Sequence, residues 1–344
     1  MITCSKCVLP ESYPNISFDL DGVCNFCNSF VPPIYEGRDA LVKIIKELKN
    51  PTCKYDAILG MSGGRDSTYA AYFAVRELGL KIMGFTYDNG FIPETIWDNI
   101  HKAVSILGIE HTIVRADYLK KSVKSVLHAI SHKPSPAMVA FLCSGCQTGI
   151  KQNIIKVAER LDCPTILTGG GEPENTFAEH LLTGSNERRN RNKILGFLRE
   201  MSNNPHYLNP RLLVSFSKEF YHRFFHKPKS IIYVDLFHYI EWDENKIMET
   251  ITQVLKWQKP DEISASWRAD CKINVIRQYL YLNMLGFAKN EELLSQLIRN
   301  KKITRENALT RLESDNHINQ DFLLEIFNEL DFNPEVLFRS LKME

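Results

Sequence analysis

Leu59-Gly60-Met61-Ser62-Gly63-Gly64-Arg65-Asp66-Ser67-Thr68 takes a short apolar run into a glycine pair and out into polar residues that open a helix. The preceding Tyr55-Asp56-Ala57-Ile58 reads as the buried strand that feeds it, and Ser67 to Leu78 as a helix that stops at Gly79. Glycines let the main chain approach a polyanion and adopt positive φ. Free N–H groups at a helix start, together with the helix dipole, favour phosphate. Ser62, Ser67 and Thr68 add hydroxyl donors, and Asp66 either caps the helix or holds a phosphate-bound metal ion. Arg65 stands among these nucleotide-binding residues, although its side chain is expected to be exposed. The stretch matches neither G-x-x-x-x-G-K-[ST] nor the G-x-G-x-x-G dinucleotide fingerprint.

Working outward, apolar periodicity predicts strands over 81–87, 111–114 and 164–167, and helices over 39–49, 93–107 and 149–161. The alternation implies an α/β fold, a doubly wound parallel sheet with helices on both faces. Ligands bind such sheets beyond the strand carboxyl ends. The loops 60–67, 88–90 and 168–176 all follow strands, so they are expected to share one site, with Asp88 as a catalytic or magnesium-placing carboxylate and Gly169 and Gly170 close to the nucleotide. Three segments follow: 1–32, cysteine-rich; 38–185, the nucleotide-binding α/β domain; and 186–344, mixed and then α-helical. The last contains a strand over 231–236 and helices over 244–256, 270–285, 289–300, 304–313 and 319–342. Its apolar positions Leu293, Leu294, Leu297, Ile298, Phe322, Leu323 and Leu324 read as packing surface, in part for a homodimer.

Nine cysteines fall unevenly along the chain. Cys4-x-x-Cys7 and Cys24-x-x-Cys27 have the spacing of a four-thiolate zinc ribbon, with a rubredoxin-like iron site as the lesser option. So small a segment has little core of its own, and the metal would supply its folding free energy. A third pair, Cys143-x-x-Cys146, and the later Cys271 allow three uses: an iron–sulfur cluster or catalytic sulfur site, a second zinc site completed by a histidine, or a redox pair. Cys53 and Cys163 fit no pattern. The ten histidines show no H-E-x-x-H and no i, i+4 pair on a recognisable helix face; His180, near the glycine-rich loop, is the one weighed for catalysis.

The 344 residues are 44% hydrophobic and 24% charged, which excludes a disordered or collagen-like chain. No apolar run reaches the roughly 18 residues of a membrane span, and the first residues lack a secretory apolar region, so a cytoplasmic location is expected. A formal charge of +1 gives no overall electrostatic pull on nucleic acid, although 188–193 form a local basic run that reads as a solvated face or a contact for RNA phosphates or a linked sugar.

Ser62-Gly63-Gly64-Arg65-Asp66-Ser67 resembles the SGG-x-DS signature of the PP-loop ATP pyrophosphatase superfamily, over about residues 55–183. That resemblance implies ATP with Mg2+, adenylation of an acceptor carbonyl oxygen, release of pyrophosphate, and displacement of AMP by a nitrogen or sulfur nucleophile. The N-terminal Cys4-Ser5-Lys6-Cys7-Val8-Leu9-Pro10 and Asp21-Gly22-Val23-Cys24-Asn25-Phe26-Cys27, with Leu294 to Asn300 and Ile303 to Leu309, are similar to N-acetyl sugar amidotransferases of surface-polysaccharide (lipopolysaccharide) biosynthesis. This implies an N-acetyl sugar acceptor, nucleotide- or lipid-linked, with ammonia from a separate glutaminase. Cys143, Cys146 and Cys271 instead resemble the cysteines of PP-loop sulfurtransferases that thiolate tRNA, which implies a [4Fe–4S] cluster or persulfide and a sulfur-donor protein. Thr168-Gly169-Gly170-Gly171-Glu172-Pro173-Glu174 resembles a loop of those enzymes. A non-catalytic nucleotide- and zinc-binding regulator is the third expectation.

Overall fold

A computed structural model describes residues 2–170, 189–207 and 231–342. In chain order the elements are α1 (Asn25–Asn28), α2 (Arg38–Leu48), β1 (Ala57–Gly60), α3 (Arg65–Tyr72), β2 (Ile82–Asp88), α4 (Glu94–Leu107), β3 (Glu110–Arg115), α5 (Leu119–His132), α6 (Phe141–Arg160), β4 (Thr165–Thr168), α7 (Arg189–Asn203), β5 (Ile232–Asp235), α8 (Leu236–Tyr239), α9 (Glu244–Leu255), α10 (Ile273–Leu285), α11 (Lys289–Arg299), α12 (Arg305–Asp315), α13 (Gln320–Glu329) and α14 (Glu335–Leu341).

The five strands form one parallel sheet in the order β3-β2-β1-β4-β5. The chain winds outward from β1 in one direction and from β4 in the other. The crevice between their carboxyl ends is therefore the topological switch point where such sheets bind ligands. Alternate strand residues face opposite layers. Ile58, Phe85 and Ile166 pack into one apolar core with α5, α6, α10 and α13, while Ala57, Leu59 and Leu167 pack into the other with α2, α3, α4 and α9. The fifth strand comes from beyond residue 185, so the sheet is completed by the third sequence segment. Leu293, Leu294, Leu297, Phe322 and Leu323 are buried within the chain. Among the described residues no helix is long and apolar enough to cross a membrane.

Three elements differ from the sequence expectation. The 149–161 helix begins at Phe141, because the 3-10 turn Pro136–Ala140 starts the winding early. Gly145 and Gly149 lie within it; a Cβ on Gly149 would stand 2.0 Å from the Tyr87 hydroxyl, so this glycine lets β2 and α6 approach. The expected single helix over 319–342 is two, divided where Asp331 takes φ 51° ahead of Pro334. Residues 119–132, not expected as an element, form α5, whose Leu119, Val123, Val126, Leu127 and Ile130 are buried at helical spacing. On that helix His128 and His132 do form an i, i+4 pair, correcting the histidine reading above.

The N-terminal cysteines converge. Cys4, Cys7, Cys24 and Cys27 are buried, and their sulfurs lie within 4.8 Å of one another. Cys7 and Cys24 are 3.7 Å apart, against about 3.8 Å for two thiolates on a tetrahedral zinc with Zn–S near 2.3 Å. The Cys4 sulfur accepts backbone N–H bonds from Lys6, Cys7 and Cys24 at 3.4, 3.4 and 3.2 Å. Hydrogen bonds from the Cys24 and Cys27 thiols hold the Cys7 thiol far below its usual range. The four residues thus fit a closed zinc site. The segment docks on the C-terminal helices: Ser295 Oγ accepts from the Val8 amide at 3.2 Å, and Arg305 Nε donates to the Cys4 and Cys7 carbonyls at 3.3 and 3.0 Å. Cys24→Ser is expected to release one metal equivalent and lower Tm by several degrees, read by metal analysis and thermal unfolding; an unchanged Tm would mean docking alone holds the segment.

Candidate functional site

The loop after β1 is set by Gly63. It takes φ +76°, and a Cβ there would lie 2.6 Å from Ile96 Cγ2 and 2.9 Å from the Ile96 carbonyl oxygen. Its carbonyl accepts from Trp257 Nε1 at 2.9 Å. Because the peptide is trans, the Gly64 N–H points the opposite way, toward Ser62 Oγ at 3.3 Å. Ser62 Oγ and Ser67 Oγ are 3.0 Å apart, and Ser67 Oγ also donates to the Gly64 carbonyl at 3.1 Å. Helix α3 starts at Arg65, directly after this loop at the carboxyl end of β1, and a helix start carries main-chain N–H groups oriented along its axis. Glycines, hydroxyls and a helix N-terminus are the components of a phosphate cradle. Thr68 is buried, and its backbone N–H donates to the Gly64 carbonyl. Gly169 is needed for packing: its Cβ would meet the Asp66 carbonyl oxygen at 2.7 Å and Ala70 Cβ at 2.8 Å, so it brings the end of β4 against α3.

Arg65 is not exposed, contrary to the sequence expectation. It is 8% accessible, with its guanidinium against the rings of the neighbouring Trp242 and Trp267, 5.1 and 4.7 Å from their centroids. It pairs with Glu244, and its Nε lies 3.3 Å from Asp66 Oδ1. Glu244 in turn accepts from Arg311 at 2.7 Å, and Arg311 donates to Ser266 Oγ at 2.8 Å. The same Asp66 oxygen accepts from Trp242 Nε1 at 3.0 Å. Burial pushes the Glu244 carboxyl up, but the hydrogen bond from Arg311 and the charges of Arg65 and Arg311 outweigh it and hold it below the usual glutamate range. The pair therefore stabilises the fold above the ordinary glutamate pKa and loses its contribution as pH falls through the depressed value.

The loop after β2 is braced by Asp88, which is buried, accepts from the Gly90 amide at 2.9 Å and pairs with Arg115 Nε at 2.8 Å. Both carboxylate oxygens thus have partners within the chain. The brace presents Asn89, whose side-chain amide donates to Cys146 Sγ at 3.6 Å and to Cys271 Sγ at 3.5 Å. Cys143 and Cys146 lie at i and i+3 in the first turns of α6, where they share a face. Cys271 arrives from the segment before α10, held by the Lys272 amide donating to the Phe91 carbonyl at 2.9 Å. Beside it, Asp270 reaches the phosphate loop, its Oδ2 3.2 Å from where a Gly64 Cβ would stand. Phosphate loop, Asn89, Asp270 and the three cysteines thus form one continuous site at the carboxyl edge of the sheet.

The three inner sulfurs are not all within 4.8 Å of one another, unlike the N-terminal four. Three thiolates on one zinc would be about 3.8 Å apart, so this spacing does not fit a mononuclear zinc site. Burial pushes the Cys146 thiol up to about 12, and burial, with the nearby sulfurs, raises that of Cys271. The Arg277 guanidinium interacts with Cys143 and Cys271 and offsets part of that cost for an anionic occupant. Cys53 and Cys163 are buried thiols away from this site.

Asn89, Asp270, Trp242, Trp257, Glu244 and Arg277 belong to the site without having been singled out in the sequence. Only Asp270, preceding Cys271, had a visible signal. Gly171, Glu172, Glu174 and His180 lie outside the described residues, as do the side chains of the 188–193 basic run.

No protein family and no curated protein matches this chain. Among solved structures it is similar to the U34-tRNA thiolase NcsA from Methanococcus maripaludis with its [4Fe-4S] cluster, at 16% identity and TM-score 0.36 over 93% of this chain and 89% of that one. It is also similar to an NMN synthetase from Francisella tularensis, at 13% identity and TM-score 0.34, covering 79% of this chain and 93% of that one. An NH3-dependent NAD synthetase from Campylobacter jejuni matches at 15% identity and TM-score 0.27, over 56% of this chain and 96% of that one. Likenesses this loose leave function to be read from the residues themselves.

Two outcomes test the site. Gly63→Ala is expected to cost about 1–3 kcal/mol through backbone strain and to weaken nucleotide binding at least about tenfold, by calorimetry. Glu244→Gln removes the main countercharge of the buried Arg65 and one partner of the half-buried Arg311, and should cost up to about 3–5 kcal/mol at neutral pH. Denaturant unfolding should show that difference shrink as pH falls below the ordinary glutamate range.

Proposed function

We propose that this chain is an ATP-dependent PP-loop transferase that adenylates a carbonyl oxygen of its acceptor, releases pyrophosphate and replaces the oxygen with sulfur. The observation that supports this most directly is the junction of phosphate loop and cysteine triad through Asp270-Cys271 and Asn89. In this reading the N–H groups of residues 62–67 and the α3 dipole grip the triphosphate. Ser62 and Ser67 add hydroxyl donors, and Asp66, fixed by Trp242 and Arg65, would with Asp270 supply carboxylates for a Mg2+ ion that neutralises triphosphate charge. The acceptor oxygen attacks the α-phosphorus, the bond to the β,γ-unit breaks, and preorganised donors neutralise the departing charge. AMP is then the leaving group, displaced from carbon by a sulfur nucleophile.

Cys143, Cys146 and Cys271 are the residues that would hold a [4Fe–4S] cluster. Ligated by only three thiolates, such a cluster supplies one coordination position open to the sulfur donor. Asn89 would hydrogen-bond two of the ligating sulfurs, and Arg277 would balance their charge. The acceptor class is a tRNA base or another carbonyl compound. A second reading, amidation of an N-acetyl sugar with ammonia from a glutaminase, is favoured by the likeness of the two chain ends to that family.

Anaerobic purification separates the readings. The sulfur reading expects a brown protein with about four inner irons per chain, colourless as Cys143→Ser or Cys271→Ser. It should form AMP and pyrophosphate, not ADP, and Asp66→Asn should lower AMP formation at least about 100-fold. A colourless zinc-only protein that forms AMP with ammonia as nucleophile would decide for amidation. ADP as product would remove both.

A further inference from the structure

Far from the carboxyl edge of the sheet, three histidines meet on the surface. His128 and His132 lie one turn apart at the end of α5, and His206 lies in the 3-10 turn Pro205–Tyr207 that follows α7. One ring nitrogen of each lies within 4.8 Å of the others. The rings of His128 and His132 are 4.5 Å apart by centroid, and those of His132 and His206 are 3.9 Å apart.

We infer that His128, His132 and His206 form a second metal site, for a Zn2+-type divalent ion, that ties the end of α5 to the 205–207 turn. Imidazole is the commonest ligand for such ions, and two histidines at i, i+4 are a standard helical half-site. The His132 ring nitrogen Nδ1 is 2.8 Å from the His128 carbonyl oxygen. A carbonyl can only accept, so Nδ1 carries the proton and Nε2 keeps its lone pair for a metal. This is the outer-shell bond that fixes the tautomer of metal-ligating histidines. The other half of the site is braced as well. Asn204, buried, donates to the Ala129 carbonyl at 2.8 Å, and its side-chain oxygen accepts from the His206 amide at 3.2 Å. Lys133 Nζ donates to the Asn203 carbonyl at 2.8 Å. These bonds hold the turn against the last turn of α5, where the negative end of the helix dipole favours a cation. Three imidazoles leave one tetrahedral position for solvent or a further ligand, in contrast to the closed four-thiolate site.

The test is calorimetric titration of the untagged full chain, four-cysteine metal retained, with ZnCl2 alone. Wild type and Cys143→Ser should each bind one further equivalent, and His132→Ala and His206→Ala should lose it. All three ligands are exposed, so the histidine variants should keep the wild-type Tm in the absence of added metal. Zn2+ should raise Tm in wild type and leave it unchanged in His206→Ala. No further equivalent in wild type, one that survives both histidine substitutions, or one that disappears with Cys143→Ser would overturn the assignment.

Discussion

A guanidinium withdrawn from water has to be matched, and the matching of Arg65 organises the carboxyl edge of the sheet. The side chain lies against two neighbouring tryptophan rings and against Glu244 and Asp66. Glu244 opens α9, and its second partner Arg311 belongs to α12. One buried charge thus ties the start of the phosphate-facing helix to two helices more than 170 residues away in sequence. Burying such a cluster costs desolvation, and an apolar packing of equal volume could be as stable. What the charges add is directional: Asp66 Oδ1 is fixed by two donors, Trp242 and Arg65, which an apolar contact could not do.

The same fixing places Cys271. The segment from Ser266 to Lys272 is held at one end by Asp315 and Arg311 through Ser266, and at the other by the Lys272–Phe91 backbone bond. Between these anchors Asp270 is set against the phosphate loop and Cys271 against Asn89. The two halves of the proposed chemistry therefore do not move independently. Metal geometry separates the cysteine groups further. The N-terminal sulfurs stand at the spacing one tetrahedral ion imposes, whereas the inner three stand wider.

The sheet was legible because its signal is local and periodic. Short apolar runs before glycines, separated by amphipathic helices, identify all five strands within a residue or two at each end. The phosphate loop was legible because a Ser-Gly-Gly turn between an apolar strand and a helix start is a local pattern, and Gly63 takes the positive φ that a glycine there permits. Arg65 was misread because its exposure is decided by Glu244, Trp242 and Trp267, all contributed by the distant C-terminal segment. The histidine group was missed for a related reason. The pair at 128 and 132 becomes visible only once α5 is recognised, and His206 joins it through the packing of a separate turn. Asn89 had no signal beyond its place after Asp88, since its partners are two cysteines remote in sequence.

The two ends of the chain are joined into one scaffold. The N-terminal cysteine segment and the helices α11 and α12 pack directly on each other through Val8–Ser295 and Arg305 with the Cys4 and Cys7 carbonyls. Tyr13 adds a hydrogen bond to Glu292 at 3.0 Å in the same interface. Residues that recognise one another in this way are constrained together by stability and can persist while the site chemistry changes. Cys271 enters elsewhere, just before α10 and beside the Asp270 that reaches Gly64, so the contacts that join the chain ends and those that position the inner cysteines are separate.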